Sequence, residues 1–210
     1  MFGVGSIMSV RPAVCRRHTA RAFASRVLAA LAALWLLGGM AAANAADPAV
    51  VYMSKVGRDL MAAARTRSPG VMANAIQRHG DIAYIGLFSL GSYRAQLAAT
   101  DHASYYSGMV RFISRYAAGE APKYPVARVE WADQSTKASN GGIFVDSKIV
   151  IEGGGEYDVR WLLAKHGNSY KVRDAMVLGL WMTPFLKKLF EDYIAQNGGN
   201  PRALLMALNH

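Results

Sequence analysis

The apolar residues of this chain change period twice. Between Pro48 and Ala118 they recur every third or fourth position, from Val126 to about Leu180 every second, and from Phe185 onward every third or fourth again. One backbone cannot satisfy both periods, so helices, then strands, then helices must follow in blocks. Blocks without βαβ alternation exclude doubly wound and βα-barrel folds and predict an α+β domain. The expected form is a four-stranded, curved antiparallel sheet with helices packed on its concave face, a cone able to enclose a ligand.

The block pattern begins only after residue 45. Before it stand Arg11, Arg16, Arg17, Arg21 and Arg26 with no acid, then the 17 apolar residues Val27 to Ala43, then Ala43-Asn44-Ala45. A basic segment, an apolar segment and a small-x-small site spell a secretory signal over residues 1–45, cleaved near Ala45/Ala46. The competing reading is an uncleaved anchor, since the run falls just short of the roughly 20 residues that span a bilayer. The Ala-Asn-Ala site favours cleavage. Arg16-Arg17 suggests a twin-arginine signal, but the residues after the pair depart from that pattern, so Sec export is preferred.

Removal of the signal changes the charge and redox argument. Cys15 leaves with it, so the exported chain has no thiol and forms no disulfide. Five of the 24 Lys and Arg leave too, and the remaining 19 against 14 acids give +5 rather than +10. These bases are scattered, a surface that favours solubility over a dedicated anionic target. Nucleic acid is not an expected partner, because no basic stripe with interleaved aromatics is present. Residues 46–210 suffice for one domain with one core.

Punctuation sets the elements. Val50, Met53, Val56, Leu60, Met61 and Ala64 mark an amphipathic helix after Pro48, broken at Ser68-Pro69-Gly70 and followed by a short segment around Val71, Met72 and Ile76. Asp81 caps a helix from Ile82 to Leu97, and Thr100 or Asp101 caps one carrying Tyr105, Tyr106, Met109, Val110, Phe112, Ile113 and Tyr116. Ala127, Val129 and Trp131 share a face of the first strand. Ile143 to Ile151 is the second, with a bulge at Asp146-Ser147. Tyr157 to Leu163 is the third and Tyr170 to about Leu180 the fourth, with Gly153-Gly154-Gly155 and His166-Gly167-Asn168 as turns. Thr183-Pro184 and Asn200-Pro201 open the two last helices.

Catalytic and metal chemistry is poorly represented. His79, His102, His166 and His210 are widely separated, without ligand spacing, and read as surface or turn residues; no metal and no cofactor is expected. Asp174 with Tyr170 is the one pairing suited to acid and base work. An ion pair from Asp174 to Arg160 or Arg173 is the better reading, and the chain is not expected to be an enzyme.

The order from Gly141 onward carries a resemblance. The strand Tyr157-Asp158-Val159-Arg160-Trp161-Leu162-Leu163 is followed by Gly167, Tyr170-Lys171-Val172, Asp174 and Gly179. A helix with Phe190, Tyr193 and Ile194 then precedes Gly198-Gly199 and Leu204-Leu205. With the helix Asp101 to Ala117, this resembles the MlaC family of periplasmic lipid-binding proteins, the soluble shuttles of the Mla lipid-transport system.

The resemblance implies a fold similar to nuclear transport factor 2, a periplasmic location, and a cavity for phospholipid acyl chains. The implied partners are an inner-membrane ABC lipid transporter complex and an outer-membrane lipoprotein complex, met by a monomer. Matched to the family's sheet and helix faces, the lining is Tyr105, Met109, Phe112, Ile113, Val145, Ile149, Val159, Trp161, Val172 and Met176. Trp181 departs from the small polar residue the family commonly has after the equivalent of Gly179. Its indole reshapes the expected cavity and leaves a hopanoid-associated lipid carrier as the alternative, beside an enzyme or a structural adaptor on the same fold.

Affinity for such a ligand needs no polar anchor. At about 0.8 kcal/mol per buried methylene, one acyl chain of about 16 carbons gains roughly 12 kcal/mol on leaving water. Release is the harder step. Hinges are expected at Gly86, Gly91 and Gly179, and adaptable packing from Met53, Met61, Met72, Met109, Met176 and Met182.

Overall fold

A capping side chain followed by proline opens the first two helices. Asp47 accepts the amides of Ala49 and Val50 at α1 (Pro48–Thr66), and Ser68 accepts that of Val71 at α2 (Pro69–His79). The structure, a computed structural model, describes residues 46–210, which form one compact unit. The signal expected at residues 1–45 lies outside the described residues. No described helix is long and apolar enough to cross a membrane.

Asp81 caps α3 (Ile82–Ser89) through the Tyr84 amide, but this helix stops well before Leu97. Gly91, at φ +52°, turns the chain into a 3-10 stretch, Gly91–Gln96. The Glu191 carboxylate holds it there by accepting the Ser92 amide at 2.8 Å. α4 (His102–Glu120) starts after Asp101, whose side chain caps nothing and instead faces Arg202 at 3.3 Å.

The sheet has six strands where four are expected. β1 (Val126–Trp131), β3 (Ile143–Ile151), β4 (Glu156–His166) and β5 (Ser169–Val177) are the long ones; β2 (Thr136–Lys137) pairs with β3 and β6 (Leu180–Trp181) with β5. All pairs are antiparallel, in the order β1-β3-β4-β5-β6. The fourth expected strand is split because Leu178 and Gly179, at φ +52° and +80°, form a two-residue hairpin turn that pairs Val177 with Leu180. Strand β2, two residues long, is too short to leave a period in the sequence.

The bulges fall at other places than Asp146-Ser147. Arg160 donates two bonds to Asp146 across the ladder, at 2.7 and 2.9 Å, and the β3–β4 register runs unbroken there. The extra residues are Ala127 on β1 and Arg173 on β5. Val126, not Ala127, therefore shares a face with Val129 and Trp131. Arg173 leaves the ladder for the helices, donating to Asp81 at 2.9 Å with its guanidinium 4.4 Å from the centre of the Tyr84 ring.

Helix α5 (Met182–Gln196) begins before Thr183, which is therefore not its cap. A sheet residue serves instead: Asp174 accepts the Thr183 amide at 2.8 Å. α6 (Pro201–Asn209) starts as expected, with Asn200 accepting the Arg202 amide. Two main cores result. Leu90, Tyr105, Met109, Phe190, Ile194 and Leu208 pack among helices, whereas Met53, Val56, Val145 and Leu163 pack between α1 and the sheet.

Candidate functional site

Helix α1 meets the sheet along an apolar seam. Ala49, Met53 and Val56 recur at helical spacing on its buried side and press on Val145 and Leu163, with Trp131, Trp161 and Val172 around them. Gly57 makes the approach possible: a Cβ there would lie 2.7 Å from Cζ2 of Trp131. The Trp161 indole lies 6.4 Å from that of Trp131 and donates its N–H to Ser147 Oγ at 2.9 Å. This polar pair satisfies itself, so the wall it belongs to stays apolar.

The register sorts the expected lining residues. Val145, Ile149, Val159 and Trp161 share the face that meets α1, because Val145 opposes Trp161, and Ser147, between Val145 and Ile149, opposes Val159. Val172 joins them opposite Leu163. Met176 does not. The extra residue Arg173 inverts the alternation, so Met176 opposes Arg160 on the other face and Trp181 opposes Met176. There the Trp181 ring lies 6.0 Å from Phe144, over which Arg160 sits at 5.3 Å. Trp181 thus stands outside the seam whose shape it was expected to alter.

Tyr105, Met109, Phe112 and Ile113 do form one stripe on α4, packed against α3, α5 and α6 in the helical core rather than against Trp161. Tyr105 donates its hydroxyl to the Gly86 carbonyl at 3.0 Å, and burial pushes its pKa well up. Gly86 is the seat of these rings, since a Cβ there would meet Tyr106 at 2.7 Å.

Polar fasteners hold α1 in place. Asp47 accepts the Ser135 amide and hydroxyl at 2.9 and 2.8 Å. Burial raises its pKa, but these bonds and the amides of Ala49 and Val50 outweigh it and hold the carboxyl below its ordinary value. His79, read as a surface residue, is only 5% exposed, with Nε2 2.7 Å from Asp59 Oδ2. That bond keeps the Asp59 carboxyl low against the opposing effect of burial. The Tyr52 hydroxyl is 3.5 Å from His79 Nδ1, and Tyr52 packs on Tyr170.

The two groups suited to acid and base work are not brought together. Tyr170 lies on the α1 side and Asp174, past the bulge, on the other. Nor does Asp174 pair with an arginine: Arg160 is engaged by Asp146 and Arg173 by Asp81. Leu163, whose alternation puts it on the same strand face as Val159 and Trp161, belongs to the seam although it was not among the expected lining. His79 carried no signal, because its partner Asp59 lies on another helix.

Residues 55–210 match the family model described as MlaC protein. Among solved structures, the fold is similar to that of a phospholipid-binding protein from Ralstonia solanacearum in complex with a phospholipid. The two are 18% identical, with 78% of this chain and 96% of that one covered and a TM-score of 0.60. No curated protein matches the chain.

Proposed function

Because the chain belongs to the MlaC family, we propose that it carries phospholipid through the periplasm. It takes its cargo from one of two membrane-bound partners, an inner-membrane ABC transporter complex and an outer-membrane lipoprotein complex, and delivers it to the other. Residues 1–45 are its cleaved export signal and 46–210 the lipid-binding domain.

The observation that supports this most is the seam between α1 and the sheet. It is lined by Met53, Val56, Val145, Leu163 and two indoles, and its buried polar group, Ser147, is already bonded. A hydrocarbon chain entering there meets no unpaired polar group, so its transfer energy is not offset by desolvation. Met53 and Val145 are fully inaccessible, so a tail is admitted only as α1 parts from the sheet. Opening on docking then supplies the release that so apolar a site otherwise resists.

Mass spectrometry of an organic extract from protein purified without detergent tests the reading, with glycerophospholipid as the expected species. Trp161→Ala, which removes one apolar wall of the seam, should lower the lipid yield, whereas Trp181→Ala on the opposite face of the sheet should not, with unchanged circular dichroism showing that both variants fold. Protein that yields no lipid, yet still binds its membrane partners, would be an adaptor and not a carrier.

A further inference from the structure

At the C-terminal end of α1 the structure has a cleft of about 360 Å³. Met61 and Ala64 of α1 and Val126 of β1 supply apolar lining, and Arg65 and Arg67, both exposed, line it as well. Neither arginine is ion-paired among the described residues. Glu152 is the acid on the cleft wall, so two cations face one anion.

Arg67 is placed there by an unfavourable backbone. It is the C-cap of α1 at φ +53°, with its N–H bonded to the Ala64 carbonyl. Helix ends of this kind favour glycine or asparagine. The helix dipole favours a cation at this end and would account for one solvated arginine. It does not account for a pair beside an apolar cleft.

The cleft also adjoins the seam. Leu60, next to Met61, packs against both the α1–sheet core and the smaller core of Met72 and Ala75. One turn earlier, Gly57 lies on Trp131, and a further turn on stands Met53. An apolar chain laid under α1 from this end would pass Met61, Trp131 and Met53 in that order.

The geometry points to a phosphate-ester site at Arg65 and Arg67, whose planar forks match phosphate oxygens while the apolar lining takes the attached hydrocarbon. In its lipid form the inference rests on the carrier function, with the phosphodiester of a phospholipid held at the mouth and its tails along the seam. A free phosphate offers the same oxygens, and the test separates the two sources.

Three probes are titrated calorimetrically into the purified protein: inorganic phosphate, dihexanoyl phosphatidylglycerol, and dihexanoylglycerol, which has the same tails without phosphate. The comparison is with Arg65→Gln/Arg67→Asn, in which asparagine suits the left-handed cap, and with Arg65→Lys/Arg67→Lys, which keeps the charge. Unchanged thermal melting confirms that both variants fold. The wild type should bind the phosphatidylglycerol about tenfold or more tighter than the diacylglycerol. The Gln/Asn variant should lose that margin with no change toward diacylglycerol, and the Lys variant should keep part of it.

Inorganic phosphate binding that is lost in the Gln/Asn variant supports the site with free phosphate as its ligand, even where both lipid probes fail. That failure would overturn the carrier reading alone. Equal affinity of wild type and Gln/Asn variant for both phosphate-bearing probes overturns the site.

Discussion

Asp174 belongs to a strand yet serves a helix. Its Oδ1 accepts the amides of Ala175 and Thr183, both at 2.8 Å, and burial pushes its pKa up despite those bonds. A carboxyl raised in the folded state binds its proton more tightly there, so its contribution falls as pH rises from the ordinary value toward the raised one. Asp174→Asn keeps an acceptor oxygen and removes that slope, and should be at least as stable as wild type at neutral pH. Asp174→Ala loses the cap and should cost about 1 kcal/mol in urea denaturation. Equal losses in the two variants would show that the cap is not what this side chain provides. None of this is legible from the sequence around residue 174, because the amide it serves is brought back by the Leu178-Gly179 turn. The residue types there are as compatible with an ion pair as with a cap.

At the scale of elements, the helix starts at Pro48 and Asn200-Pro201 were legible, whereas Ser68-Pro69, read as a break, opens α2, and Thr183-Pro184, read as a start, does not cap α5. Face assignment was legible along β4; along β3 a bulge was expected at Asp146-Ser147 that the register does not have, and along β5 the assignment failed. There the bulge at Arg173 separates Val172 from Met176 by inserting one residue into a period of two. No hydrophobicity pattern announces such a residue; it is set by Asp81 and Tyr84, distant in sequence. Helix packing offers a sharper test. A Cβ on Gly108 of α4 would lie 2.8 Å from Cβ of Leu208 on α6, an atom fixed to its backbone. Gly108→Ala gains about 1 kcal/mol of helix propensity but must displace α6, and overpacking costs about 1–3 kcal/mol. The variant should be destabilised overall, with α6 amides losing hydrogen-exchange protection first. A gain in stability would mean that α6 yields freely.

For the whole molecule, α1 is both the roof of the seam and the element whose side-chain fasteners titrate. Asp47 ties its start to Ser135 and Asp59 ties its middle to His79 on α2, each carboxyl held below the ordinary aspartate value of 3.8. A depressed folded-state pKa contributes stability that is present above the unfolded value and lost as pH falls through the folded one. Acid should therefore loosen α1 as these two carboxyls protonate, together with the 3-10 stretch that Glu191, also held low, ties to α5, while Tyr105, Met109 and Phe190 stay packed through apolar contacts. The same ties should govern release at neutral pH if the seam holds the lipid. Asp47→Asn/Asp59→Asn keeps the side-chain shapes and removes both charges. Charge-assisted hydrogen bonds are the strong ones, so the variant should transfer fluorescent phosphatidylglycerol to phosphatidylcholine vesicles about tenfold faster than wild type in stopped flow. The gap should close as the wild type is acidified below the ordinary aspartate value. Identical transfer rates at neutral pH, with the variant folded and loaded, would place the rate-limiting motion in some element other than α1.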